Sequence, residues 1–181
     1  IALMKSQEAE EAYDVLHRLG ERLVADAMCQ TWLGHACVAL ERLQEAVAAY
    51  RIVEQLSPGS VALPLALAER DLGRIEASSA ILEATLADHP EHAIAQFTLA
   101  QNRLMRREFA AGFALYECRW NRPEMARPDL PLPLWQGEPL QDKGILVHEE
   151  QGFGDCIQFV RYMRLLKQAG ARTGLKVRPR L

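Results

Sequence analysis

Three stretches of the chain repeat the same order of large and small apolar residues: TWLGHACVALERLQEAVAAYRIVEQLSP, LPLALAERDLGRIEASSAILEATLADHP and FTLAQNRLMRREFAAGFALYECRWNRPE. Leu33-Gly34, Leu65-Ala66 and Leu99-Ala100 coincide, as do Leu43, Ile75 and Phe109, then Tyr50, Leu82 and Tyr116. Small residues fall together at Ala46, Ser78 and Gly112. The step from Leu65 to Leu99 is 34 residues, and that from Leu33 to Leu65 is 32. Within each stretch the apolar residues recur at helical spacing in two runs, so each unit predicts a pair of helices. Pro58 and Pro90 end the second helices, because a proline ring cannot continue the hydrogen-bond ladder, and Gly73 marks the turn inside the middle unit. Residues 8–24 read as the second helix of an earlier unit. A pair of helices this short cannot bury its own apolar face, so the pairs must stack in series.

This spacing and pattern resemble the tetratricopeptide repeat (TPR), at about three and a half units over residues 1–126. The chain departs from that repeat at Val24, at Cys37 and at Pro64; the last is tolerated early in a helix, where N–H groups lack internal partners. The resemblance implies a curved inner face built by the first helices, which receives a protein or peptide segment. The pattern places Met28, Thr31, His35, Leu67, Arg70, Asp71, Phe97, Gln101 and Met105 on it. Asn occurs only at 102 and 121 and this face holds one Arg. Neither the carboxylate clamp that holds chaperone tails nor an asparagine ladder can be built from it.

Composition narrows the function classes further. A net charge of −3 gives no ground for nucleic acid or an anionic membrane, and no apolar run approaches the length of a span. The four cysteines, Cys29, Cys37, Cys118 and Cys156, form no CxxC and join no histidine pair at zinc spacing. They are expected to be reduced, buried thiols of a cytoplasmic protein, and no metal site is expected. His89 and His92 flank a turn and read as loop residues.

Residues 127–143 form a proline-rich linker; five prolines between 123 and 140 rule out a continuous helix. From 144 to 181 the pattern changes again. Gly144–His148 reads as a buried parallel strand, Ile157 to Leu166 as a helix stopped at Gly170, and Leu175 and Val177 as part of a second strand. Strand, helix, strand is a βαβ unit, the opening of a Rossmann-like domain. The fold class expected is therefore mainly α, a TPR helical-hairpin superhelix followed by a short, incomplete α/β segment.

Between strand and helix lies EEQGFGD, residues 149–155. Two accounts of it stand side by side. Asp155 followed by Gln158 matches a D-x-x-Q capping box, with Gly152 and Gly154 supplying positive φ angles or close backbone approach. The same loop stands at the C-terminal edge of a first strand, where α/β sheets bind ligands.

The run LPLPLWQGEPL followed by GILVHEEQGFGDCIQFVRYMRLLKQAGA resembles the junction in bacterial TPR proteins that carry a C-terminal, heptosyltransferase-like glycosyltransferase domain of the two-Rossmann (GT-B) fold. The resemblance implies that Asp155 is the general base on an acceptor hydroxyl, with Gln151, Gly152 and Gly154 shaping the loop and Gln158 and Arg161 beside it. It also implies a nucleotide-sugar donor for the parent protein, whereas no cofactor is expected in this chain. About 40 residues cannot form two Rossmann domains, so the chain reads as a fragment that does not itself transfer sugar. Residues upstream of Ile1 are likewise expected.

From Arg161 to Leu181 stand seven Lys or Arg and no acid, read as solvated faces. The open strand edges predict a homodimer through this end. Two alternatives remain at this point: a non-catalytic scaffold with a degenerate α/β remnant, and a small nucleotide-binding regulator.

Overall fold

The computed structural model describes residues 2–121, 129–150 and 152–177. The chain divides into two compact units, Ile1–Pro128 and Asp129–Leu181.

The first unit is helical: α1 (Ala2–Arg22), α2 (Ala27–Ala39), α3 (Leu43–Leu56), α4 (Ala62–Asp71), α5 (Ile75–Asp88), α6 (Ala93–Met105) and α7 (Phe109–Tyr116), closed by a 3₁₀ turn over Glu117–Asn121. Each helix packs on the next along the chain, and α4 also touches α6. This is serial stacking of hairpins α2–α3, α4–α5 and α6–α7, with α1 as the half unit before them.

Local chemistry starts and stops these helices where the pattern asks. The Asp26 carboxylate accepts the Cys29 N–H at 2.7 Å and caps α2. His92, expected as a plain loop residue, caps α6 through Nδ1. Glu54 accepts from the N–H groups of Gly59 and Val61 and ties the α3–α4 loop.

All three hairpins turn alike. Glu41, Gly73 and Arg107 adopt φ of 58°, 77° and 63°. The following N–H reaches back to the carbonyl of Cys37, Glu69 or Arg103 at 2.8, 2.9 and 2.9 Å. This is the six-to-one bond that closes a helix through a left-handed residue.

Small residues let the helices of a pair approach. A β-carbon on Gly34 would lie 2.7 Å from Tyr50 Cδ1, and one on Gly112 would lie 2.7 Å from Leu104 Cδ2. Tyr50 and Leu82 are fully buried. One cluster gathers Tyr13, Cys37, Val47, Tyr50, Val53 and Leu65; the next holds Ala66, Leu82, Ala95 and Leu99, and Ile81 packs against both. Each large side chain so buried contributes about 1.5–3 kcal/mol. α1 joins the stack through Tyr13, whose hydroxyl donates to Glu45 at 2.6 Å under the Arg42 guanidinium; that carboxylate raises the phenol's pKa.

In the second unit, residues 129–143 have no regular structure. The Trp135 indole donates to the Glu138 carbonyl, and the Gln136 N–H donates to the Glu138 carboxylate, which lowers its pKa. Strand β1 (Gly144–His148) pairs in parallel with β2 (Arg172–Lys176), Gly144 opposite Arg172 and His148 opposite Lys176. The crossover is helical: α8 (Phe153–Phe159), a 3₁₀ turn at Val160–Tyr162, and α9 (Met163–Gln168). Gly170, at φ 88°, ends it with the same six-to-one bond, from Ala171 N–H to Leu166 O. The expected parallel βαβ segment is present with β1 at the expected residues, but β1 is half-exposed rather than buried and β2 ends at Lys176, short of Val177.

Candidate functional site: the face of the first helices

The first helices of the three hairpins, α2, α4 and α6, carry all the residues assigned to a partner face. Arg70 on α4 donates from Nη1 to Gln101 Oε1 on α6 at 3.1 Å, and from Nε to Asp71 Oδ1 at 3.3 Å. Three of the expected residues are thus brought together across two hairpins. Arg70 and Gln101 are half-buried and Asp71 is exposed.

Thr31 and His35, on α2, are engaged locally. The Thr31 hydroxyl donates to the Ala27 carbonyl of its own helix. His35 Nδ1 lies 2.7 Å from the Tyr50 hydroxyl, and its ring meets Trp32 edge-on. Burial pushes the Tyr50 phenol up to about 12, so it keeps its proton beside the imidazole. Phe97 packs on Tyr116 of its own hairpin, with ring centroids 5.1 Å apart.

Two buried polar residues, each the chain neighbour of one in the Arg70 network, hold α4 and α6 in place. Glu69 is sealed from solvent and takes Arg51 at 2.6 Å on Oε1 and Arg74 at 3.2 Å on Oε2. Asn102 donates to the hydroxyls of Ser78 and Ser79. Neither is visible in an apolar pattern. Ile94 is another exposed residue that the sequence reading passed over, although the repeat places it at the position of Met28. Met28, Ile94 and Met105 supply exposed apolar surface on these helices. Chemically, the face offers guanidinium and amide donors and one carboxylate acceptor among thioether and aliphatic contacts.

The second candidate, the loop before α8, differs from expectation. Asp155 does not cap the helix: α8 begins at Phe153 with Gly152 as its N-cap, and no side chain bonds the cap. Asp155 occupies the first turn, where its charge complements the helix dipole. Neither glycine takes a positive φ, since Gly152 is extended at −72° and Gly154 is helical. A β-carbon on Gly152 would meet only Asp155 Oδ2, at 3.8 Å, and one on Gly154 nothing within 4 Å. Asp155, Gln158 and Arg161 are exposed, and the Arg161 guanidinium lies over the Tyr162 ring. Gln151 lies outside the described residues.

No disulfide joins the cysteines; Cys29, Cys37 and Cys118 are buried, whereas Cys156, expected to be buried, is half-exposed. Burial pushes the Cys37 thiol up to about 11. Among the described residues no group of three His, Cys, Asp or Glu could hold a metal ion, and no helix is long and apolar enough to cross a membrane.

No protein-family model matches this chain, and no curated protein matches its sequence. Solved structures do match. "MamA RS-1 ArsTM double mutant" superposes with a TM-score of 0.57 at 20% identity, covering 66% of this chain and 74% of that one. "MamA MSR-1 C2" gives 0.58 at 17% identity, covering 64% and 67%. "MamA 41-end from Desulfovibrio magneticus RS-1" gives 0.57 at 20% identity, covering 66% and 74%. At these identities the likeness is one of fold, and the fold it shows is a TPR-like helical stack.

Proposed function

We propose that this chain is a protein-interaction module whose α2–α4–α6 face is concave and takes up a protein or peptide segment. The observation that carries the reading is the Arg70–Asp71–Gln101 network, which links two hairpins on the face that stacked repeats leave open. Exposed Met28, Ile94 and Met105 on the same helices suit an adaptable apolar contact. Buried, unbridged Cys29 and Cys37 support a cytoplasmic setting. Peptides selected on the intact protein from a random library test the reading. Arg70→Ala and Met105→Glu should each weaken the selected peptide about tenfold, the size of one lost charged contact. Peptides that bind both variants as tightly as the original would contradict it.

The second unit favours a more specific parentage. A parallel strand pair crossed by a helix, with a glycine-containing loop after the first strand, is consistent with the opening of a glycosyltransferase-type domain. In such a parent Asp155 would accept the proton of an acceptor hydroxyl, with Gln158 and Arg161 beside it and a nucleotide-sugar as donor. Freedom from the capping role leaves the Asp155 carboxylate available for that work. Assay of a longer natural protein, with and without Asp155→Asn, decides it: transfer lost in the variant supports the assignment, and transfer retained removes it.

A further inference from the structure

We propose that α7 is a self-association surface through which two copies of this chain pair about a two-fold axis. The repeat register identifies the feature. Val47, Ser79 and Phe113 occupy one position of the three hairpins, as Leu43, Ile75 and Phe109 occupy another. In the first two hairpins the next helix covers that position. Val47 is 4% exposed in a cluster with Val61 and Leu65, and Ser79 is 4% exposed beneath the Asn102 amide of α6. Phe113 is 61% exposed and Phe109 55%, their rings stacked with centroids 6.5 Å apart. This pair therefore stands where the architecture seats a helix.

The face matches a copy of itself. From Phe109 to Tyr116 there is no charged or strongly polar side chain, FAAGFALY, so a charged partner finds nothing to pair with. Gly112 is buried against Leu104, which turns Ala110 and Ala114 outward beside Phe109 and Phe113. Two aromatic residues four apart make a ridge, and two alanines four apart make the adjacent groove. A second α7 laid antiparallel sets each ridge in the other's groove, the self-complementarity a two-fold contact requires. The charges flanking the helix suit the same arrangement. Arg106 pairs with Glu108 at 3.0 Å at one end and Arg119 with Glu117 at 2.7 Å at the other, so both ends are balanced, and reversal sets Arg106 toward the partner's Glu117 without net repulsion. An eight-residue helix buries less than a standard interface of about 1,200–2,000 Å², so the dimer should dissociate at micromolar concentration.

Sedimentation velocity of the full chain across the micromolar range tests the pairing. The intact protein should shift reversibly from monomer to dimer with concentration. Phe109→Glu with Phe113→Glu should stay monomeric, with an unchanged helical circular dichroism spectrum. Ala114→Glu, an outward site in a helix that tolerates Glu, should dissociate the dimer too and serves should the double variant lose its fold. An intact protein that is monomeric throughout overturns the proposal. So does a dimer that survives Ala114→Glu, which would return the contact to the sheet edges of the second unit.

Discussion

The carboxylate of Glu69, with no solvent-exposed surface, lies 2.6 Å from the guanidinium of Arg51, one hairpin earlier in the stack. A second arginine, Arg74, holds the other oxygen at 3.2 Å. One buried charge thus ties α3, α4 and the start of α5 together, beside the residue that presents Arg70. Glu69→Gln keeps the shape and removes the charge. It should lower unfolding free energy by about 1.5–3 kcal/mol, the worth of hydrogen bonds to a charged group. Arg51→Met should cost less, because Arg51 is largely exposed and Arg74 still compensates the buried carboxylate. Urea denaturation of both variants checks the order; equal midpoints with the original protein would contradict it.

Gly34 and Tyr50 form a fitted pair, and the fit is tight enough to measure. A methyl group at position 34 would lie 2.7–2.8 Å from ring atoms of a phenol that His35 anchors. Gly34→Ala should therefore destabilise by about 1–3 kcal/mol, the usual cost of overpacking. In the second hairpin an alanine, Ala66, is accommodated in one cluster with Leu82. Adding Tyr50→Leu to Gly34→Ala should accordingly recover part of the loss. Non-additivity in a double-mutant cycle is the readout.

The same tyrosine gives the stack an alkaline limit. Its pKa rises from an unfolded value near 10 to about 12 by burial, and Cys37 rises to about 11 for the same cause. The folded state then holds protons that the unfolded state has released. Stability from this source is complete below the unfolded pKa values and is lost as pH climbs through the folded ones. Thermal midpoints should fall between pH 9 and 12, and Tyr50→Phe should flatten the part above pH 10. An unchanged slope in that variant would contradict the assignment.

Three turns with one geometry and unequal residues supply a graded test. Gly73 takes its left-handed φ without penalty, whereas Glu41 and Arg107 hold theirs against the clash of a β-carbon. Glu41→Gly and Arg107→Gly should each stabilise by about 1 kcal/mol, and Gly73→Ala should cost a similar amount. Shifts of opposite sign in chemical denaturation follow if the three positions are equivalent.

Legibility in the sequence followed the kind of interaction. Burial periodicity is written in residue types, so Leu33, Leu65 and Leu99 disclosed the hairpins and GILVH disclosed β1. The turn at Gly73 was readable because glycine advertises a left-handed angle. Glu41 and Arg107 were not, because their angles come from the register of the surrounding helices. Asp155 resembled a cap, since D-x-x-Q satisfies the motif, but α8 starts two residues earlier at Phe153 and the carboxylate falls inside the first turn. Glu69 carried no signal in the sequence, because its partner Arg51 stands eighteen residues back and on another helix. Within the candidate site, the helical spacing placed Arg70, Asp71 and Gln101 on one face, while the hydrogen bonds between them depended on the offset of adjacent hairpins.

Binding at the α2–α4–α6 face is most directly tested by amide chemical-shift mapping of the intact protein with a library-selected peptide. Perturbations should concentrate on α2, α4 and α6, with Arg70 and Gln101 among the largest, and spare α3, α5 and residues 144–176. Perturbations centred on α3 and α5, or confined to the α/β unit, would contradict it.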